Sequence, residues 1–351
     1  MIKRKKTRKV KVGKLVLGDN NPIRVQSMTN TKTENVKETV KQINQAIEAG
    51  CEIIRCTANT IEAAKALKFI RKEISIPLVA DIHFDYRCAL EAAKHVDKLR
   101  INPGNIGSKD KTVAVVKEAK DRGLAIRIGV NSGSVDSKLL QKYGGPTADA
   151  MVESALSHVK ILEENDFYNT LISAKAHDVP KTLSVYRLLS KKTNYPLHLG
   201  VTHSGVLREG IIKSSVGLGI LLQEGIGDTL RISLASKDLR DEVETGYSIL
   251  KSLRLREAGP NIIVCPTCGR CEVDVIKIAE TVKKATKNLM KPLDIAVMGC
   301  VVNGPGESRE ADIGVCCGKG FGAIYRKGKF IKKVPENEIT KTLLKEIEKL
   351  S

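Results

Sequence analysis

The stretch from Pro77 to Asn131, PLVADIHFDYRCALEAAKHVDKLRINPGNIGSKDKTVAVVKEAKDRGLAIRIGVN, decides the fold. Three short β-type runs, Pro77–Ile82, Lys98–Asn102 and Ala125–Val130, alternate with two segments, Tyr86–His95 and Lys109–Asp121. In those two segments Ala, Leu and Val recur at three and four residues, the period of an amphipathic helix, whereas the short apolar runs read as buried strands. The same unit repeats outward in both directions. Strands are expected at Ile23–Met28 and Glu52–Cys56 before it, and at Asn169–Ala174, Pro196–Val201 and Asp228–Leu234 after it. Helices are expected at Glu34–Ala49, Ile61–Lys72, Asp149–Glu163, Lys181–Leu189, Arg208–Leu222 and Leu239–Leu250. Eight strands, each followed by a helix, predict an α/β protein with a TIM (β/α)8 barrel. A doubly wound open sheet is the alternative, but it more often stops at five or six strands.

In such a barrel the strand C-termini build the active site. Strand one ends in Gln26-Ser27-Met28-Thr29, strand two carries Arg55, and strand three runs into Asp81 and His83. The next strands offer Arg100 and Asn102, then Arg127 and Asn131, then Ser173 and Lys175; the last two offer Thr202, then Arg231 and Ser233. A single arginine here is readily explained as a strand-end cap. Five cations, Arg55, Arg100, Arg127, Lys175 and Arg231, with Asp81 as the only acid that can be placed beside them, call for a polyanion. Arg forks hold phosphate bidentately and Lys adds a point charge, so a phosphorylated small molecule is expected. Ser214, Ser215 and Gly217 are read as opening a helix whose backbone N–H groups add to a phosphate site. His83 fits either a ligand contact or a hydrogen-bonded structural role.

Composition bounds the remaining possibilities. The chain has 351 residues, a formal charge of +19, 3% aromatic residues and no Trp. Its apolar runs are shorter than the ~20 residues of a membrane helix, which sets a membrane span aside. Residues 1–14 hold eight Lys or Arg and no acid, leaving +11 on the rest. This basic N-terminal arm is read as solvated and dispensable. Nucleic acid is set aside because no aromatic stacking platform accompanies the charge. No apolar h-region follows the arm, so a cytoplasmic, reducing location is expected.

Cysteine usage is lopsided. Cys51, Cys56 and Cys88 are scattered, while Cys265, Cys268, Cys271, Cys300, Cys316 and Cys317 fall in the last quarter. The expected division is an arm at 1–14, a barrel at 15–255 and a small α+β domain at 256–351, with 255–262 as linker. Cys265-Pro-Thr-Cys268 and the remote Gly299-Cys300 loop can supply three thiolates to one centre, with small neighbours that admit backbone N–H groups to cluster sulfurs. Zinc competes, since C-x-x-C is also a zinc knuckle, but a second C-x-x-C or C-x-x-H is missing. A radical S-adenosylmethionine enzyme would carry C-x-x-x-C-x-x-C near the barrel start, where none occurs.

The segments IRVQSMTNT, ADIHFD, LRINPGNIG, IRIGVNSGS, HLGVT, GIGDTLRISL, CPTCGR and MGCVVNGPGESREADIG, in order from about residue 10 to 325, resemble the 4-hydroxy-3-methylbut-2-enyl diphosphate synthase family in its bacterial two-domain form. The resemblance implies a barrel that binds 2-C-methyl-D-erythritol 2,4-cyclodiphosphate and a small domain holding a 4Fe–4S cluster. It implies Cys265, Cys268 and Cys300 as thiolate ligands, completed by Glu307, which would also serve as a catalytic proton donor or exchangeable ligand. It implies substrate contacts from Arg55, Asp81, His83, Arg100, Asn102, Arg127, Asn131, Lys175, Thr202, Arg231 and Ser233. Reductive ring opening and dehydration in the non-mevalonate isoprenoid pathway would use single electrons from flavodoxin or ferredoxin. The family forms a homodimer in which the cluster domain of one chain covers the barrel of its partner. Three places depart from the family pattern: Cys271, read as a small buried thiol in preference to a competitor of Glu307 for the fourth iron; His203-Ser204; and Cys316-Cys317, given no role.

Overall fold

A computed structural model describes residues 2–256, 259–287, 289 and 291–350. They form two compact units, Met1–Arg256 and Glu257–Ser351. The first opens with a hairpin of β1 (Val10–Val12) and β2 (Leu15–Leu17), and then alternates strands and helices. The strands are β3 (Arg24–Met28), β4 (Ile53–Thr57), β5 (Leu78–Asp81), β6 (Lys98–Ile101), β7 (Ala125–Asn131), β8 (Thr170–Lys175), β9 (His198–Leu199) and β10 (Thr229–Leu230). The helices are α1 (Val36–Glu48), α2 (Ile61–Glu73), α3 (Tyr86–Ala92), α4 (Pro103–Ile106), α5 (Lys109–Asp121), α6 (Ser137–Tyr143), α7 (Ala148–Glu163), α8 (Val179–Lys192), α9 (Leu207–Gln223) and α10 (Leu239–Ser252).

The eight strands β3 to β10 pair in parallel in the order β8-β7-β6-β5-β4-β3-β10-β9, and a parallel bridge between Ile172 and Leu197 closes the ring. Alternation places the side chains. On β7, Ile126, Ile128 and Val130 enter the core shared with the helices, so Arg127, Gly129 and Asn131 face the barrel interior. Polar caps start the helices just above the strand ends: the side chains of Asn35, Thr60, Asp85, Asp178 and Asp238 each accept a backbone N–H of the first turn.

Strands β9 and β10 are shorter than expected for Pro196–Val201 and Asp228–Leu234. The Leu197 carbonyl accepts from both Asp228 N (2.9 Å) and Thr229 N (3.3 Å), and the Asp228 carboxylate takes the Leu197 N–H at 3.0 Å. A side chain stands in for the ladder there, and regular pairing begins only at Thr229.

The basic N-terminal stretch is not a solvated arm. Val10, Val12 and Leu17 of the hairpin are fully buried against Ile53, Val79, Ala125 and Leu171, the lowest inward residues of four strands. They form an apolar floor to the barrel. Arg4 donates to the Asn21 carbonyl and to Asp228, Thr7 donates to the same carboxylate, and Lys5 reaches the Thr193 carbonyl. Charge density misled the reading, because the apolar alternation Val10, Val12 and Leu17 outweighs the lysines between them.

The second unit carries a five-stranded mixed sheet in the order β11 (Asn261–Val264), β12 (Asp294–Met298), β13 (Ile313–Gly318), β14 (Phe321–Arg326) and β15 (Lys329–Pro335). The first three strands are parallel and the last two antiparallel. Helices α11 (Val275–Ala285) and α13 (Ile339–Glu348) cover the face bearing Val297, Val315 and Cys317. Helix α12 (Gly304–Glu310) lies against β12 and β13, where Ala296, Met298 and Ala311 pack. The stretch expected as a linker already enters β11 at Asn261; Glu257 and Ala258 lie outside the described residues.

Candidate active site and thiol-bearing loops

At the C-terminal end of the barrel Arg55, Arg100 and Arg127 gather around one carboxylate. Asp81, at the end of β5, receives Arg100 Nη1 at 3.1 Å and has Arg55 Nε at 3.8 Å and His83 Nε2 at 3.7 Å. Burial alone would raise the Asp81 carboxyl, but Arg55, Arg100, His83 and Arg127 overcome it and hold it at about 2. Burial pulls Arg55 down to about 10. Lys175 and Arg127 are drawn well below their ordinary values, first by burial and then by repulsion from neighbouring cations: Arg231 and Arg127 for Lys175, Arg55 and Arg100 for Arg127.

Positive charge is thus concentrated where water cannot dilute it. Three guanidinium nitrogens here, Arg100 Nε, Arg127 Nε and Arg127 Nη1, are buried without a hydrogen-bond partner. Buried donors left unpaired are expensive, and a bound anion would repay them. Backbone space is cut to fit these side chains: a Cβ on Gly129 would lie 2.3 Å from Arg100 Nε, and one on Gly200 would lie 2.3 Å from Lys175 Nζ.

Reading the sequence missed the second acid. Glu242, in the first turn of α10 and 3% exposed, accepts Arg231 Nη2 at 2.9 Å and Ser27 Oγ at 2.8 Å. Asp81 is therefore not the only acid beside the five cations. The clue was a carboxylate one turn into the helix that follows strand eight. Lys98 was also missed. It is fully buried, with Nζ 3.3 Å from Gln26 Oε1, and its alternation with Arg100 along β6 marks it as inward-facing.

The remaining candidates are less tied to this cluster. Asn102 is buried at the start of α4, its Nδ2 directed at Asn105 Oδ1 (3.4 Å) and its Oδ1 unpaired. Asn131 ends β7, and its N–H donates to Ser134 Oγ. Thr202 is half-buried and its hydroxyl contacts His203, a residue held at φ +50°. The Ser233 carbonyl accepts from Ser204 Oγ. The expected phosphate turn at Ser214, Ser215 and Gly217 does not exist. Helix α9 begins at Leu207, so these residues lie in its middle, where backbone N–H groups are committed to the helix. Gly217 instead lets the helix approach Val201 and Val179.

In the second unit, the register Val264↔Val297 aligns the ends of β11 and β12, so Cys265 and Gly299-Cys300 leave the sheet side by side. The Gly299 N–H donates to Cys265 Sγ at 3.1 Å. A Cβ on Gly299 would lie 2.4 Å from Cys271 Sγ and 3.4 Å from Cys265 Sγ. Cys300 is half-exposed, and its thiol is lowered chiefly by the Val302 N–H, with help from the Asn303 N–H and Arg270. Cys268 and Glu307 are exposed, the latter on α12. Cys271 Sγ donates to the Val273 carbonyl at 3.1 Å. Among the described residues no three His, Cys, Asp or Glu side chains are drawn close enough to hold a metal ion. The donor chemistry nonetheless suits a soft metal centre: thiols at one sheet end, a backbone donor on one sulfur, and a glycine without which the loops would collide.

No helix among the described residues is long and apolar enough to cross a membrane. The GcpE TIM-barrel domain family matches residues 7–247, and the GcpE protein C-terminal domain family matches residues 261–349. The 4-hydroxy-3-methylbut-2-en-1-yl diphosphate synthase (flavodoxin) of Thermodesulfovibrio yellowstonii is 54% identical over 99% of this chain and 100% of its own length. Proteins of the same name from Clostridium perfringens (55%, covering 98% and 99%) and Bacillus subtilis (52%, covering 99% and 92%) are similarly close. Among solved structures, the sialic acid synthetase of Leptospira borgpetersenii superposes with a TM-score of 0.51 at 14% identity, covering 81% of this chain and 98% of that one. The type I 3-dehydroquinate dehydratase of Clostridium difficile gives 0.51 at 14% identity, covering 70% and 98%. At that identity the likeness is one of fold.

Proposed function

The chain belongs to the GcpE family, and from that premise we propose that it is a 4-hydroxy-3-methylbut-2-en-1-yl diphosphate synthase that opens 2-C-methyl-D-erythritol 2,4-cyclodiphosphate reductively. The observation that carries this reading is the set of five cations, three of them buried and two half-buried, held by Asp81 and Glu242 with three guanidinium nitrogens still unpaired. A cyclic diphosphate supplies the missing acceptors. Arg55, Arg100, Arg127, Lys175 and Arg231 bind its phosphate oxygens, and Asp81 and Glu242 hold Arg100 and Arg231 in place before the ligand arrives. His83, Asn102, Asn131, Thr202 and Ser233 rim this group and orient the hydroxyls.

Cys265, Cys268 and Cys300 would hold a 4Fe–4S cluster, with Glu307 completing it. Bound there, the cluster supplies electrons one at a time and an iron without a thiolate. Two electrons and one proton enter, the bond from ring carbon to phosphate oxygen breaks, and a hydroxyl departs as water. Glu307, exposed on α12, is the group on this chain that holds the proton for that departure. Flavodoxin, which appears in the relatives' names, is the electron donor in this reading, in preference to ferredoxin. The reading includes a homodimer in which one chain's second unit serves its partner's barrel, and a cytoplasmic location where thiols stay reduced.

Calorimetric titration of the cyclic diphosphate into the iron-free protein tests the carrying observation. Binding that weakens at least tenfold in Arg127→Met is expected; equal affinity in both proteins contradicts it. Mixing Cys300→Ser with Arg127→Met chains tests the dimer, because only an exchanged pair restores a working site.

A further inference from the structure

We infer that the thiol of Cys316 is a positioning residue that fastens the Cys300 loop to the helix carrying Glu307; its functional meaning rests on the iron–sulfur reading above. The register Met298↔Cys316 sets this residue on the α12 side of β13, whereas Cys317 points into the opposite core. Cys316 is 2% exposed. Its Sγ donates to the Cys300 carbonyl at 3.5 Å, within reach for a sulfur donor.

The same sulfur occupies the space that Gly304 leaves open: a Cβ on Gly304 would lie 2.4 Å from Cys316 Sγ and 3.1 Å from its Cβ. Gly304 is the first residue of α12, and Glu307 follows one turn later. A second glycine holds the same helix down, since a Cβ on Gly314 would lie 2.9 Å from the Ser308 Cα. One atom therefore touches both segments that carry proposed ligands. Alanine at 316 would release both, and serine would keep the donor while giving up volume.

A double-mutant cycle over Cys316 and Gly304 tests this, with Cys316→Ser as the conservative control. The readouts are the half-life of iron release to a chelator after anaerobic loading, the electron paramagnetic resonance spectrum of the reduced protein, and the melting temperature of the iron-free protein. Gly304→Ala should shorten the half-life about tenfold and Cys316→Ala about threefold, while the double variant should match Cys316→Ala alone, because removing the sulfur makes room for the new methyl group. Cys316→Ser should restore the wild-type spectrum. Effects that multiply in the double variant, or a Cys316→Ala protein identical to wild type in spectrum and iron release, overturn the inference. A wild-type chain that takes up no iron would refute the iron–sulfur reading instead. In that event the melting temperatures alone judge the contact: non-additive shifts uphold it and additive shifts overturn it.

Discussion

The two units prepare their chemistry in opposite ways. In the barrel, functional side chains are buried or half-buried and held by one another: Arg100 on Asp81, Arg231 on Glu242, with glycines shaped around them. In the second unit the thiols stand on half-exposed loops, and what positions them is backbone N–H groups, one glycine and a neighbouring sulfur. The difference follows from the ligands each end suits. An anion must be met by charges already stripped of water, because the cost of gathering like charges has to be met in folding. Thiolates ligate a metal through strong bonds that can draw loops together, so the fold need only deliver the sulfurs to the same sheet end.

The contrast can be broken from either side. The largest effect is expected from Cys300→Ser: iron content and turnover should both fall to about a hundredth or less, with the melting temperature of the iron-free protein almost unchanged. Iron retained at wild-type level would remove Cys300 from the ligand set. Arg127→Met should reverse the pattern. Iron stays bound while kcat/KM drops by about a hundredfold, yet the protein melts no lower, because an uncompensated buried cation has been removed. A melting temperature lowered in step with activity would mean that Arg127 is structural.

Paired glycine substitutions compare the two ends directly. Gly129→Ala should cost about 1–3 kcal/mol and raise KM, since its methyl group displaces Arg100 from Asp81. Gly269→Ala, with nothing within 4 Å, should stay within about 0.5 kcal/mol. Equal costs would erase the distinction between a packed and an open site.

Acid titration probes the barrel alone. Asp81 is held at about 2, below the ordinary carboxylate value of 3.8. Its contribution is therefore present above pH 4 and lost as the pH falls toward 2, an effect of about 2 kcal/mol in denaturant-measured stability. Asp81→Asn should flatten that slope, and an unchanged slope would contradict the ion-pair account. A modest effect is expected at the N-terminal stretch. Arg4→Ala removes one donor from the buried Asp228 and should cost about 1–2 kcal/mol without changing KM; no loss of stability would restore the picture of a dispensable arm.

Much of the barrel was legible because its signals are local. Short apolar runs and period-3.6 helices alternate, and a polar residue closes nearly every strand, so each of the eight strands overlaps its expected segment, β4, β7 and β8 running one residue past it. What escaped depends on partners distant in sequence. Glu242 matters only because α10 folds back over Arg231 and Ser27, and the floor exists only when Val10 and Val12 meet strands up to 160 residues away. Helices α4 and α6, in loops rich in Gly and Ser, carry too few periodic residues to register. In the last quarter the cysteine spacing pointed to thiol chemistry. The part played by Gly299 and Cys316 depends on strand register, which spacing does not encode.

The central claim is that both ends serve one reaction, and anaerobic turnover tests it most directly. Iron-loaded protein, reduced flavodoxin and the cyclic diphosphate should yield the linear diphosphate with two flavodoxin electrons consumed per product, and the iron-free protein should yield none. Iron-free protein that still opens the ring, or loaded protein that binds the cyclic diphosphate and oxidises flavodoxin without forming product, would contradict the account.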